Sequence, residues 1–88
     1  MFLHIGDGNM ILANDIVFIG DIESVTDSKI TDEFLKIADE EGFIINQTNE
    51  NSKIRSFILT GEKIYYSIIS TSTLEDRLKN MISENGGV

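Results

Sequence analysis

The residues that could carry chemistry in this chain are few and scattered. His4 stands near Asp7 at the start. An imidazole beside a carboxylate is the pair from which a general base is built. A hydrolytic triad also needs a nucleophile converging on that pair, and no motif places a serine there. His4 is therefore read as a structural histidine. Gly6-Asp7-Gly8-Asn9 resembles the opening of a calcium loop, but the later oxygen ligands and the closing glutamate are missing. It also lacks the longer glycine pattern and the Lys-Ser/Thr ending of a phosphate loop. With no cysteine, thiolate metal sites and disulfides are excluded. No enzyme, metal site, cofactor or small-molecule substrate is expected.

The basic residues offer a different chemistry. Lys53 and Arg55 are two apart in a predicted strand, so both point to one face and form a small cationic pair able to meet phosphate. Lys63 falls at the far end of the same hairpin. Arg77 and Lys79 lie on a predicted helix, roughly 160° apart around its axis, and cannot form one patch. Fifteen acids against seven bases give a net charge of −8, a field that opposes nucleic acid unless the cations are lined up and the acids face elsewhere.

These side chains must be held by a small fold. The 88 residues suit one domain, 1–88, with a modest core that self-association would supplement. Short apolar alternations over 2–6, 10–13 and 16–22, separated by turn residues, predict a three-stranded meander. Over 24–42 the period changes. Ile30, Phe34, Ile37 and Ala38 mark one helical face, Asp27 or Ser28 can cap the start, and Gly42 can close the end. Strands follow at 43–47, 54–60 and 63–69, the last two joined as a hairpin through Thr60-Gly61-Glu62. A second helix carries Leu74, Leu78, Met81 and Ile82 on one face, with Asn85-Gly86 as its stop. The fold class is α+β: a small antiparallel or mixed sheet of about six short strands, one mid-chain helix and one C-terminal helix.

The stretch KIYYSIISTSTLEDRL, residues 63–78, joins the last strand to the last helix. Ser72 with Glu75 matches a capping box, and Ser70 is the competing cap. Tyr65 and Tyr66 point to opposite faces of a strand; one is expected in the core and the other at solvent or an oligomer interface.

The segments MFLHIGD, NDIVFIGDI, EFL and IYYSIISTSTLEDRL resemble the extracellular matrix regulatory protein B family (RemB) of Gram-positive spore formers. IGDGNMILAN and the acidic helix ending at Gly42 are also similar to its relative, the RemA family. The resemblance runs from Met1 to about Leu78. It implies a transcriptional regulator of biofilm-matrix genes. In the RemA branch it implies rings whose outer basic residues hold wrapped double-stranded DNA. The matching positions here are Asp15, Ser52 and Lys53, of which Lys53 keeps a base.

Two functions follow as expectations: an oligomeric regulator, a ring where it follows the RemA branch, contacting DNA through Lys53 and Arg55, or an oligomeric adaptor of the same fold that does not touch DNA. Tyr65 and Tyr66 are the candidate oligomer contacts. The opening residues have no basic region or long apolar core, so no signal peptide is expected. No run is long enough to span a membrane, and a cytoplasmic location is expected.

Overall fold

A computed structural model describes residues 1–23 and 28–86, with side chains of 83–86 outside the description. Among these residues the chain forms β1 (Phe2–Gly6), β2 (Asn9–Leu12), β3 (Ile16–Asp21), α1 (Lys29–Glu40), β4 (Ile44–Ile45), β5 (Ser56–Thr60), β6 (Ile64–Ser67) and α2 (Thr71–Gly86). The α+β class holds, with one helix mid-chain and one C-terminal.

The expected meander does not form. β1 and β2 pair as a separate two-stranded hairpin, while β3 leaves them to pair antiparallel with β5. A 3-10 turn at Ala13–Asp15 redirects the chain between the two sheets. The larger sheet has the order β3-β5-β6-β4; β5–β6 is the predicted antiparallel hairpin, and β4 lies parallel to β6.

Alternation along β5 and β6 gives this sheet two apolar faces. Ile58 joins Leu3, Ile5, Ile11 and Leu74 in a core beneath the β1–β2 hairpin and α2. Phe57 and Ile64 join Leu35 and Ala38 in a second core beneath α1. Gly20 stands opposite Phe57 in the β3–β5 register, and any β-carbon there would enter the Phe57 ring. Glycine is thus required by close approach rather than by backbone freedom.

Of the predicted buried face of α1 only Ala38 holds. Ile30, Phe34 and Ile37 are exposed, at 82%, 49% and 58%, while Leu35 and Ala38 are buried. At 100° per residue the true inner face is rotated by roughly 80° from the predicted one. Ser28 caps the helix, its hydroxyl accepting from the Thr31 amide at 3.5 Å; the alternative cap, Asp27, lies outside the described residues. Gly42, at φ +79°, takes the left-handed turn that ends the helix, as predicted.

In α2 the predicted inner face largely holds: Leu74 is fully buried and Met81 packs on the first core, whereas Ile82 is exposed. The cap is Ser70, not Ser72. The Ser70 hydroxyl accepts from the Thr73 amide at 3.4 Å and donates to the Thr73 hydroxyl at 3.0 Å. The Leu74 amide donates to the Ser70 carbonyl. The helix therefore starts at Thr71, earlier than the Ser72–Glu75 box requires.

Ser56 and Ser67 face each other across β5 and β6, both fully buried. The Ser67 hydroxyl donates to the Ile5 carbonyl at 2.6 Å and accepts from the Ile69 amide at 3.0 Å. The Ser56 hydroxyl donates to the Ile69 carbonyl at 2.7 Å. Two hydroxyls thus tie the large sheet to the small hairpin and to the approach to α2. Ser67→Ala removes both bonds and strands two backbone groups, so a loss of about 1–3 kcal/mol is expected in urea unfolding at fixed protein concentration. Ser72→Ala, at an exposed position that does not cap the helix, is expected to lie within about 0.5 kcal/mol of the parent. Equal effects would contradict the assignment.

Candidate nucleic-acid and assembly surfaces

The segment carrying Lys53 and Arg55 runs from the loop 46–52 to the start of the interior strand β5, and both residues precede that strand rather than lying in it as predicted. Asparagines fold the loop back on itself: the Thr48 amide donates to Asn46 Oδ1 and the Asn51 amide to Asn49 Oδ1. The Asn49 amide donates to Asp7 Oδ2 at 3.3 Å, so the GDGN turn anchors this loop. Asp7 is a structural acceptor here.

Arg55 lies just before β5, but its backbone is already held from both sides. Its amide donates to the Ser67 carbonyl at 2.9 Å, and its carbonyl accepts from the Ile22 amide at 3.1 Å. Lys53 and Arg55 are both exposed. Lys53 Nζ forms an ion pair with Glu23 at 2.7 Å. The sequence reading missed this acid, because Glu23 is thirty positions upstream and only the β3–β5 register carries it to the loop. Asp15 sits exposed in the 3-10 turn, and Ser52 is half-buried in the loop with its amide bonded to the Asn49 carbonyl.

Lys63 is at the opposite end of β6, over the Phe43 ring at 5.6 Å. Arg77 is committed to packing: its Nη1 donates to the His4 carbonyl at 3.0 Å, holding α2 against β1. His4 itself is exposed on β1. Among the described residues no three His, Asp or Glu side chains gather closely enough to hold a metal ion.

Tyr65 and Tyr66 occupy opposite faces of β6, as the strand period predicts, and both are half-buried. Tyr65 packs against the first core and Tyr66 against the second, so the expected division into one core tyrosine and one at solvent does not occur, because the sheet carries a core on each face. Tyr65 also lines a groove of about 520 Å³ with Met10, Leu12 and Val17. The inward side of the β1–β2 hairpin carries Leu3, Ile5 and Ile11. Its outward side carries Phe2, Met10 and Leu12, which are 59%, 52% and 36% exposed. Phe2 and Leu12 are direct cross-strand partners. The alternation in FLHIG and NMIL already implied a second apolar face on this hairpin, and that signal was legible.

Val17 is the extra residue of a bulge in β3, between Ile16↔Thr60 and Phe18↔Leu59, and is 68% exposed. A bulge on an edge strand disfavours continuation of the sheet by another strand. Contacts with a neighbour at this edge would be made by side chains.

The comparison with known proteins matches this sequence to one family. The model of the family described as "RemA-like: Extracellular matrix regulatory protein A-like" matches residues 2–78. The chain belongs to the RemA-like family. It is also similar to "Extracellular matrix regulatory protein B" of Bacillus subtilis (strain 168), with 36% identity over 81 residues, covering 92% of this chain and 94% of the relative. In this RemA-like chain the matched region takes in both sheets and the first half of α2. No helix among the described residues is long and apolar enough to cross a membrane.

Burial raises the Tyr66 hydroxyl above its ordinary value near 10, and the Asp39 carboxylate adds to the shift. The neutral phenol is therefore favoured by folding. This contribution is complete below the unfolded value and is lost as pH rises through the folded one. In a Tyr65→Phe variant the remaining tyrosinate absorbance is expected to titrate above 10. Adding Asp39→Asn should lower the midpoint only in part, because burial is the larger cause. A midpoint unchanged by unfolding would contradict the reading.

Proposed function

We propose that this RemA-like protein is a cytoplasmic transcriptional regulator of extracellular-matrix genes that acts as a homo-oligomer on double-stranded DNA. The observation that carries the reading is the near full-length similarity to a protein named as an extracellular matrix regulator. The family membership supports the same regulatory class rather than an enzyme. In this reading Lys53 and Arg55 contact phosphates, and assembly repeats them along one rim.

Magnitudes make the assembly necessary. Each phosphate neutralised contributes about 0.9 to the salt slope of binding. Two cations on a subunit of net charge −8 are too few to hold DNA at moderate salt. Repetition turns later contacts into intramolecular events and raises the total affinity. The surface we assign to self-association is the outward face of the β1–β2 hairpin with the groove at Tyr65. A closed ring follows if one patch meets a different patch on its neighbour and the rotation closes.

The adaptor reading rests on one observation: of the positions matching the family's basic residues, Asp15 and Ser52 are not basic, and Lys53 is paired with Glu23. DNA retention measured against salt separates the two readings. For the regulator, the double variant Lys53→Ala, Arg55→Ala should reduce retention and lower the salt slope by about 1.8 per bound subunit. Glu23→Gln should raise affinity by about 1.4- to 5-fold per contacting subunit, since an exposed ion pair is worth about 0.2–1 kcal/mol. An intact oligomer that retains no DNA at 50 mM salt would establish the adaptor instead.

The assembly face has its own test. Met10→Asp, at an exposed position, should reduce the particle mass seen by light scattering while leaving the circular dichroism unchanged. Unaltered mass would remove this face from the interface.

A further inference from the structure

The exposed stripe on α1 marks a second apolar surface, which adjoins the groove beside the hairpin at the shared β5–β6 turn, Thr60 to Lys63. Phe34, Ile37 and Phe43 line a groove of about 340 Å³ with Leu59 and Ile64, running between the C-terminal half of α1 and the β5–β6 turn. Phe34, Ile37 and Phe43 are each about half exposed or more. A helix that turns two large apolar side chains to solvent beside an apolar cleft leaves favourable burial unused. Leu35 and Ala38, not these residues, hold the helix to the sheet.

The charges around the groove select its occupant. Glu41 and Glu62 line it. Glu33 and Glu40 fall on the solvent flank of α1 next to the stripe, while Lys29 and Lys36 lie further round at 100° per residue. Lys63, the cation at the groove, is turned over the Phe43 ring and toward the Gly42 carbonyl. The surrounding field is acidic. It disfavours nucleic acid and anionic lipid. A two-fold contact with a second copy would set these glutamates against their own equivalents, and a head-to-tail contact would bring against them another chain of net charge −8.

We propose that the α1 groove binds a basic amphipathic helix of another protein. Apolar side chains of that helix, spaced i, i+3 or i+4, and i+7, would enter between Phe34, Ile37 and Phe43. Its lysines or arginines would meet Glu33, Glu40, Glu41 and Glu62. The aromatic anchors carry the affinity, and the acids set the choice of partner and the salt dependence. This surface is separate from Lys53 and Arg55, so the inference stands whether or not the chain binds DNA.

The test uses the full chain and two synthetic 18-residue helical peptides with leucines at that spacing, one completed with lysine and the other with glutamate. The lysine peptide should bind by titration calorimetry, weaken as salt rises from 50 to 300 mM, and shift amide resonances of α1 and the β5–β6 turn. Ile37→Asp, at an exposed position, should weaken binding at least tenfold without altering DNA retention. Ile37→Ala should weaken it less. No binding, equal binding of the glutamate peptide, or binding unchanged by Ile37→Asp would overturn the proposal. A fall in particle mass on Ile37→Asp would also overturn it, by giving the groove to a second copy.

Discussion

The fold depends on how two buried serines end the central hairpin. β5 and β6 form the interior of the large sheet, and each side of that sheet carries its own small core. Neither core is extensive. Besides the packing of Leu3, Ile5 and Ile11 on Ile58, the β1–β2 hairpin is tied to the sheet by the Ser67 hydroxyl on the Ile5 carbonyl, while Ser56 on the Ile69 carbonyl holds the strand end. A buried hydroxyl costs free energy unless it is bonded, and here both are bonded to backbone. The same bonds fix the approach to Ser70, whose cap starts α2, while Arg77 clamps that helix to His4. The dense polar sequence between Tyr66 and Leu74 is thus a structural junction.

That junction has consequences for the surface. Because β1 and β2 form their own sheet, only their inner side contributes to the core, and Phe2, Met10 and Leu12 are left outward. Because α1 rests on the sheet through Leu35 and Ala38, its larger apolar residues are also left outward. A chain of this size cannot cover two cores and two apolar outer faces by itself. In the proposed reading, association with other chains covers them. In that reading the sparse cations gain strength through repetition, since Lys53 is partly held by Glu23.

Local features were legible in the sequence. The Thr60-Gly61-Glu62 turn, the Gly42 helix stop and the Leu74–Met81 face follow from short-range rules of backbone conformation and period. The misread features depend on distant partners. Ile30, Phe34 and Ile37 share a helical face with Ala38, yet Ala38 packs with Leu35 on Phe57 and Ile64 and the three larger residues stay outside. Ser70 wins over Ser72 because the strand end held by Ser67 brings the chain into the helix two residues earlier. The Glu23–Lys53 pair needed the β3–β5 register, which no spacing in the sequence specifies.

In the proposed reading the working unit is an assembly of copies whose aligned cations hold DNA. Sedimentation velocity of the full chain, alone and with a duplex at 50 mM salt, measures this most directly. The account predicts a multi-subunit particle without DNA and co-sedimentation of DNA with that particle. A 9.8 kDa monomer across the concentration range, with or without the duplex, would contradict it.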